Sequence, residues 1–268
     1  MDHSKACTLL ANVFCVVIRG ADMAMTLSLR SSIGRTVLFI LPMFDFHTHI
    51  IIDGNAPCLL NTPLVDRTCN DYSLQNPNMA FSVGLHPWDV SEDWEDMLKT
   101  VRKEATQHRV WAIGECGLDK LRGASFDLQL KAFYAQISIA EEVRKPMVIH
   151  CVKAFNELLT IRKEMETESQ CRNRQIMPWV IHGFRGKPEL AKQLMAKGLL
   201  LSFGHLYNAK TLRQVFTSCL PFFLETDDCH LPICQIYEQV ARHLGVDVGR
   251  LETLCDPRQT IFSGFLLR

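Results

Sequence analysis

MFDFHTHI, residues 43–50, closes an apolar run with two histidines one residue apart. In an extended strand successive side chains alternate between faces, so His47 and His49 point the same way and can reach one ion. On a helix that task needs a four-residue spacing, as in HExxH, and no such motif occurs in the chain. Similar apolar runs follow at 58 (CLLNT), 79 (MAFSVGLH), 110 (VWAIGE), 146 (PMVIH), 178 (PWVIH), 199 (LLLSF) and 222 (FFLETD). With the first, they make eight candidates for parallel strands buried on both faces.

Helical patterns separate the later runs. In SFDLQLKAFYAQISIAEEVRK, residues 125–145, Phe126, Leu130, Phe133 and Ile137 recur at three- and four-residue steps. Ser125 and Asp127 supply capping oxygens at its start, and Pro146 lies just past its end. KPELAKQLMAKG, residues 187–198, carries Pro188 early and is closed by Gly198. Strand followed by helix, repeated, is the α/β pattern. Eight strands favour a closed (β/α)8 TIM-type barrel over an open doubly wound sheet, as a single domain over residues 43–268, with the first two connections too short for full helices.

Residues 1–42 read as an N-terminal extension. Lys5 followed by CTLLANVFCVVI has the charged start and apolar stretch of a weak signal peptide, but it is too short to span a bilayer. The run TVLFILPMF, interrupted by Pro42, reads as leading into the buried strand of the histidine pair. Because patterned sequence begins at Met43, the simplest origin of the extension is an over-called start, and residues 1 to about 35 are expected to be poorly ordered.

Lys plus Arg and Asp plus Glu number 29 each, and 47% of residues are apolar. Such a chain is globular and its neutral balance offers no global pull toward nucleic acid, though a local basic patch could be masked by acids elsewhere, so a nucleic-acid reading must come from a site. The eleven cysteines are odd in number and scattered, with no CxxC pair. That pattern suits reduced thiols in the cytoplasm better than a disulfide framework.

Five runs finish on residues able to hold a metal: His47 and His49, Glu115, His150, His182 and Asp227. In a barrel, the carboxyl ends of the strands converge on one mouth, so these residues can share a pocket there. Neutral imidazole suits zinc, manganese or iron-like ions, and carboxylates admit magnesium and can bridge two metals. The mixed set implies divalent cations, two in number, with magnesium, manganese or zinc as candidates. Paired ions about 4 Å apart can grip a phosphate and activate a water, which makes hydrolysis the reaction class.

Glu115 stands amid an apolar run, where a charged residue is rarely buried without a partner. Asp227 is preferred to the adjacent Asp228, and Glu225 is read as structural, two residues deeper along the strand. His86, Lys153 and Arg185 follow strands and are candidate substrate contacts. Trp88, Trp94, Trp111 and Trp179 read as packing residues. Cys116 and Cys151 adjoin ligand positions but point away from the mouth.

Taken in order, DFHTH, VGLHPW, AIGECGLD, PMVIHC, VIHGFRG, LLSFG and FLETD resemble the TatD family of metal-dependent deoxyribonucleases, over roughly residues 43 to 228. The resemblance implies a (β/α)8 barrel whose metal ligands are His47, His49, Glu115, His150, His182 and Asp227. Glu115 would bridge two ions, and Asp227 would also orient the attacking water. The chain departs from the family pattern at Lys120, where tyrosine is common after GLD, and at Lys153, where arginine is common. It departs again at ETDDCHLP, where Ser-Pro often follows ETD. These changes touch substrate contacts and spare the ligands.

The leading expectation is a deoxyribonuclease acting on single strands or ends, with no membrane partner. One alternative is amidohydrolase-type cleavage of an amide or ester, since the same site can activate water against a carbonyl. Another is a non-catalytic nucleic-acid-binding barrel, which would require a lost ligand.

Overall fold

The computed structural model describes residues 28–30, 36–38, 43–52, 56–62, 78–171 and 176–263. The chain divides into two units, Met1–Leu41 and Pro42–Arg268. In the first, β1 (Ser28–Arg30) pairs antiparallel with β2 (Thr36–Leu38). TVLFILPMF is therefore not one run feeding the barrel, because its first residues already belong to this pair. Apart from β1, the disorder expected for residues 1 to about 35 concerns positions outside the described residues.

The second unit holds eight strands: β3 (Asp45–Thr48), β4 (Cys58–Thr62), β5 (Met79–Val83), β6 (Val110–Asp119), β7 (Met147–Val152), β8 (Trp179–Ile181), β9 (Leu199–Phe203) and β10 (Phe222–Leu224). They hydrogen-bond in sequence order, every pair parallel. Thr48 bridges Asp227 in parallel, His49 N donates to Asp227 O at 3.0 Å, and Asp227 N donates to His47 O at 2.8 Å. These bonds join the last strand to the first, so the sheet is a barrel rather than an open sheet.

Helices α1 (Trp94–Glu104), α2 (Phe126–Val143), α3 (Phe155–Cys171), α4 (Pro188–Ala196), α5 (Ala209–Thr217), α6 (Ile233–Leu244) and α7 (Val248–Leu254) fill the later connections. Ser125 Oγ accepts from Leu128 N and starts α2, and Arg144 in a left-handed conformation ends it. Pro188, which needs no backbone partner, opens α4. Among the described residues no helix is long and apolar enough to cross a membrane.

The barrel interior is lined by Phe44 and Phe46, Leu59, Ala80, Ala112, Val148, Val180 and Phe223, with Phe262 packed among them. Phe262 follows the short helical turn Pro257–Gln259, lies 5.3 Å from Trp111 and is stacked on Phe46 at 6.3 Å. Intervening residues such as Met147, Ile149, Trp179, Ile181, Phe222 and Leu224 join the second core, under the helices. On β7, β8 and β10 the two-residue alternation carries straight up to His150, His182 and Glu225.

Strands β3 and β6 break that alternation. Register shifts fall between Asp45 and Thr48 and between Ile113 and Cys116. Phe46 and its neighbour His47 consequently both reach the interior, as do Ala112 and Glu115 at an odd separation. An irregularity of this kind re-aims a side chain at the end of a strand. Past the shift β6 lies hard against β7: a Cβ on Gly117, at φ +146°, would stand 2.0 Å from His150 O.

Candidate metal centre

Glu115 lies at the middle of the mouth, only 3% exposed, and its two oxygens face different histidines. Oε2 is 3.3 Å from His47 Nε2 and 3.1 Å from His49 Nε2. Oε1 is 2.7 Å from His182 Nε2, 2.8 Å from His150 Nδ1 and 3.1 Å from His86 Nε2. Asp227 Oδ1 stands 3.8 Å from His47 Nε2 and 3.6 Å from His49 Nε2, on the more open side of the cluster. Three overlapping groups have ligand atoms close enough for one ion each: His47, His49 and Glu115; His47, His182 and Asp227; His86, Glu115 and His150.

This donor set fits divalent cations. The Nε2 atoms of His47 and His49 face one another at 3.2 Å while both also face Glu115 Oε2. Two imidazole nitrogens so placed cannot both be satisfied by one proton, whereas a cation among them accepts every lone pair. His47 Nδ1 and His182 Nδ1 are buried without a hydrogen bond. Neutral nitrogen with a carboxylate bridge is the chemistry of zinc, manganese and related ions.

Protons share the charge among these groups. Burial alone would raise the Glu115 carboxyl, but the His182 charge and hydrogen bonds from His150, His182 and His47 hold it well below the usual range. Burial works against charge on His182 too, and the Glu115 carboxylate overrides it, keeping that imidazole well above its ordinary value. His47 is shifted down, by burial first and then by the charge on His182. Burial likewise depresses His49, but Glu115 and Asp227 lift it overall.

Four residues that the sequence reading left without a role in the site hold the candidate ligands in place. Asn61 Oδ1 accepts from Glu115 N at 2.8 Å and from Ser82 Oγ at 3.2 Å. Asp119 Oδ2 lies 3.3 Å from His150 Nε2, so this imidazole spans two carboxylates, an arrangement that fixes the ring orientation of a metal ligand. Glu225 sits behind His182, with Oε1 3.6 Å from Nδ1, and accepts the Gly183 backbone N–H. Asp45 accepts from Thr226 N at 2.9 Å and from Thr226 Oγ1 at 2.6 Å, tying β3 to the turn that carries Asp227. Burial pushes the Asp45 carboxyl up to about 7 despite those bonds. Asp227 itself takes a left-handed backbone, φ +59°, uncommon outside glycine.

The other candidates divide. His86, read as a substrate contact, instead puts its ring nitrogen against the central carboxylate and belongs with the ligand-competent atoms, because the HPW turn folds back over the mouth. Lys153 and Arg185 are exposed and pair with no acid among the described residues. Lys120 is engaged elsewhere, its Nζ 2.5 Å from Glu157 Oε1. Trp88 is not a packing residue in the sense expected, since 43% of it is exposed. Cys116 is sealed in the outer core, and burial pushes the Cys151 thiol up to about 12, so neither suits a nucleophile.

Comparisons with known proteins agree with this geometry. The family described as TatD related DNase matches residues 59–234. The uncharacterized metal-dependent hydrolase YabD of Bacillus subtilis is 33% identical over 138 residues, covering 50% of this chain and 51% of that protein. A relative from Erwinia tasmaniensis, named 3'-5' ssDNA/RNA exonuclease TatD, is 30% identical over 205 residues, covering 66% of this chain and 75% of its own length. With the first relatives matched over 51% and 58% of their lengths, the chain spans little more than half of those proteins. Among solved structures, a TatD family hydrolase from Entamoeba histolytica superposes with a TM-score of 0.61 at 15% identity, covering 83% of this chain and 96% of that one. The TatD homologue YjjV of Escherichia coli gives 0.57 at 20% identity, covering 85% and 96%. These two share the fold. A match across most of the barrel, on a chain whose mouth gathers five histidines and two carboxylates, makes this protein a member of the TatD-related DNase family.

Proposed function

We propose that the chain is a metal-dependent phosphodiesterase that hydrolyses DNA at single strands or ends, using two divalent ions drawn from magnesium, manganese or zinc. The observation that carries this reading is Glu115, whose two oxygens each face a separate set of imidazoles. His47, His49 and Asp227 would hold one ion, His150 and His182 the other with His86 beside them, and Glu115 would span both. Bound there, such ions polarise a phosphoryl oxygen and lower the pKa of a water.

The chain's own groups supply the rest. Asp227 is 25% exposed, the less enclosed of the two central carboxylates, and faces the approach over His49. Its carboxylate is placed to orient an attacking water and take its proton. Exposed Lys153 and Arg185, three residues past His150 and His182, would serve as cations for neighbouring phosphates. With no net charge on the chain, grip of this local kind favours unpaired strands over long duplex. The family name and the exonuclease named among the relatives support nucleic acid as the substrate class. Eight free cysteines among the described residues are compatible with a reducing, cytoplasmic setting.

The test uses the full chain with end-labelled single-stranded DNA, added magnesium or manganese, and chelator. Metal-dependent shortening is expected, reduced about a hundredfold or more in Asp227→Asn. Silence toward DNA while metal remains bound would overturn the reading and direct the search to amide and ester substrates.

A further inference from the structure

Trp88 sits where an aromatic residue has little structural reason to be exposed. It follows His86 in the turn after β5, with ring centroids 4.7 Å from His86 and 5.6 Å from His150, yet 43% of its surface is open. Its orientation is held from three directions. The indole Nε1 donates to Asp119 Oδ2 at 2.7 Å, its backbone N donates to His86 Nδ1 at 3.1 Å, and the Arg122 guanidinium lies 3.7 Å over the ring. Asp119 Oδ1 accepts from Leu121 N at 2.7 Å and Arg122 N at 3.2 Å, which fixes the loop that delivers the guanidinium. Gly123 lets that loop approach, since a Cβ there, at φ +90°, would stand 2.2 Å from Pro87 O.

Asp119 Oδ2 thus serves two neighbours, the Trp88 indole and, at 3.3 Å, His150 Nε2. One buried carboxylate ties an exposed flat surface to a candidate ligand. A role confined to packing would bury the ring, and a role confined to the ligand would need only a donor to Asp119. The indole and guanidinium together offer what an unpaired base stacks on, a π-face and a planar cation, without reading its edge.

Resting on the phosphodiesterase reading, we infer that Trp88, with Arg122 lying over its ring, is the residue that binds the base of the nucleotide next to the scissile phosphate. A base paired within a duplex has both faces occupied, so this contact selects unpaired ends. Asp119 acts as a positioning residue for the indole and for His150 together.

The experiment is a cycle on the full-length, metal-loaded protein: wild type and Trp88→Leu, each with single-stranded DNA that is intact or carries one abasic residue stepped along the strand. Trp88→Phe keeps a flat ring while removing the bond to Asp119, and metal content is measured for every variant. For one abasic position, the inference predicts that removing either the ring or the base lowers kcat/KM by roughly tenfold to a hundredfold, the range of a single base–aromatic stack. Removing both should cost no more than removing one. Trp88→Phe should recover most of the loss. If the two losses multiply at every position with metal content intact, the ring does not stack on a base and the inference fails while the nuclease reading stands. Should wild type cut nothing, the same cycle is read as equilibrium binding of labelled strands to metal-loaded protein. Base-dependent binding lost in Trp88→Leu then keeps the inference without the reaction, and its absence removes both.

Discussion

The lower and upper halves of the same eight strands are built by different rules. Below, the interior is a closed apolar layer, with Phe46 stacked on Phe223 at 4.6 Å and Phe262 packed against Trp111. Above, toward the ends of five of the strands, the side chains become histidines and carboxylates, alternation breaks on β3 and β6, and Asp227 takes a left-handed backbone. The floor, where burial is apolar and regular, adds to the stability supplied by the outer core beneath the helices. At the mouth, charges are gathered that would repel water-free surroundings were they not paired, and atoms such as His47 Nδ1 lack partners. A barrel can carry such a mouth because its lower half holds the strands in place without it.

Variants in the two halves should therefore separate stability from metal binding. Truncating the floor with Phe262→Ala is expected to cost about 3–5 kcal/mol of unfolding free energy, seen in denaturant titration, while protein that remains folded keeps its metal content. Loss of metal from the folded fraction would mean that floor and mouth are not independent. The smaller effect lies behind His182. Glu225→Gln keeps an acceptor for Gly183 N but removes the carboxylate facing His182 Nδ1. Metal affinity, measured by competition with a chromogenic chelator, should fall by about tenfold to a hundredfold with little change in unfolding. Unchanged affinity would make Glu225 a floor residue, as a reading of its depth alone suggests.

The floor and the gathering of metal-competent residues at strand ends were legible in the sequence because both follow local rules: apolar runs of strand length, and a metal-competent residue finishing five of them. All eight runs form strands, and Ser125 and Pro188 open their helices as their chemistry dictates. What escaped depends on contacts between distant segments. Nothing local marks the register shifts that turn His47 and Glu115 inward. Asp119 reads as the end of GLD until β7 brings His150 beside it, and Trp88 reads as packing until its ring is seen to stay 43% exposed even with Arg122 of the loop after β6 lying over it. His86, singled out as a substrate contact, could also have been read as metal-competent, since its HPW turn follows a strand as the other candidate residues do. TVL at residues 36–38 pairs with residues 28–30 although the apolar run shows no break there, because nothing local marks where one strand ends and another element begins.

The central claim is that Glu115 joins two metal positions, and metal stoichiometry of Glu115→Gln tests it most directly. Chelated protein would be reloaded with manganese or zinc, freed of excess, and assayed for bound metal by elemental analysis, with circular dichroism confirming the fold. Wild type is predicted to hold two ions per chain, and the variant to lose both at the same free concentration. A folded Glu115→Gln protein that still binds two ions as tightly as wild type would contradict the account.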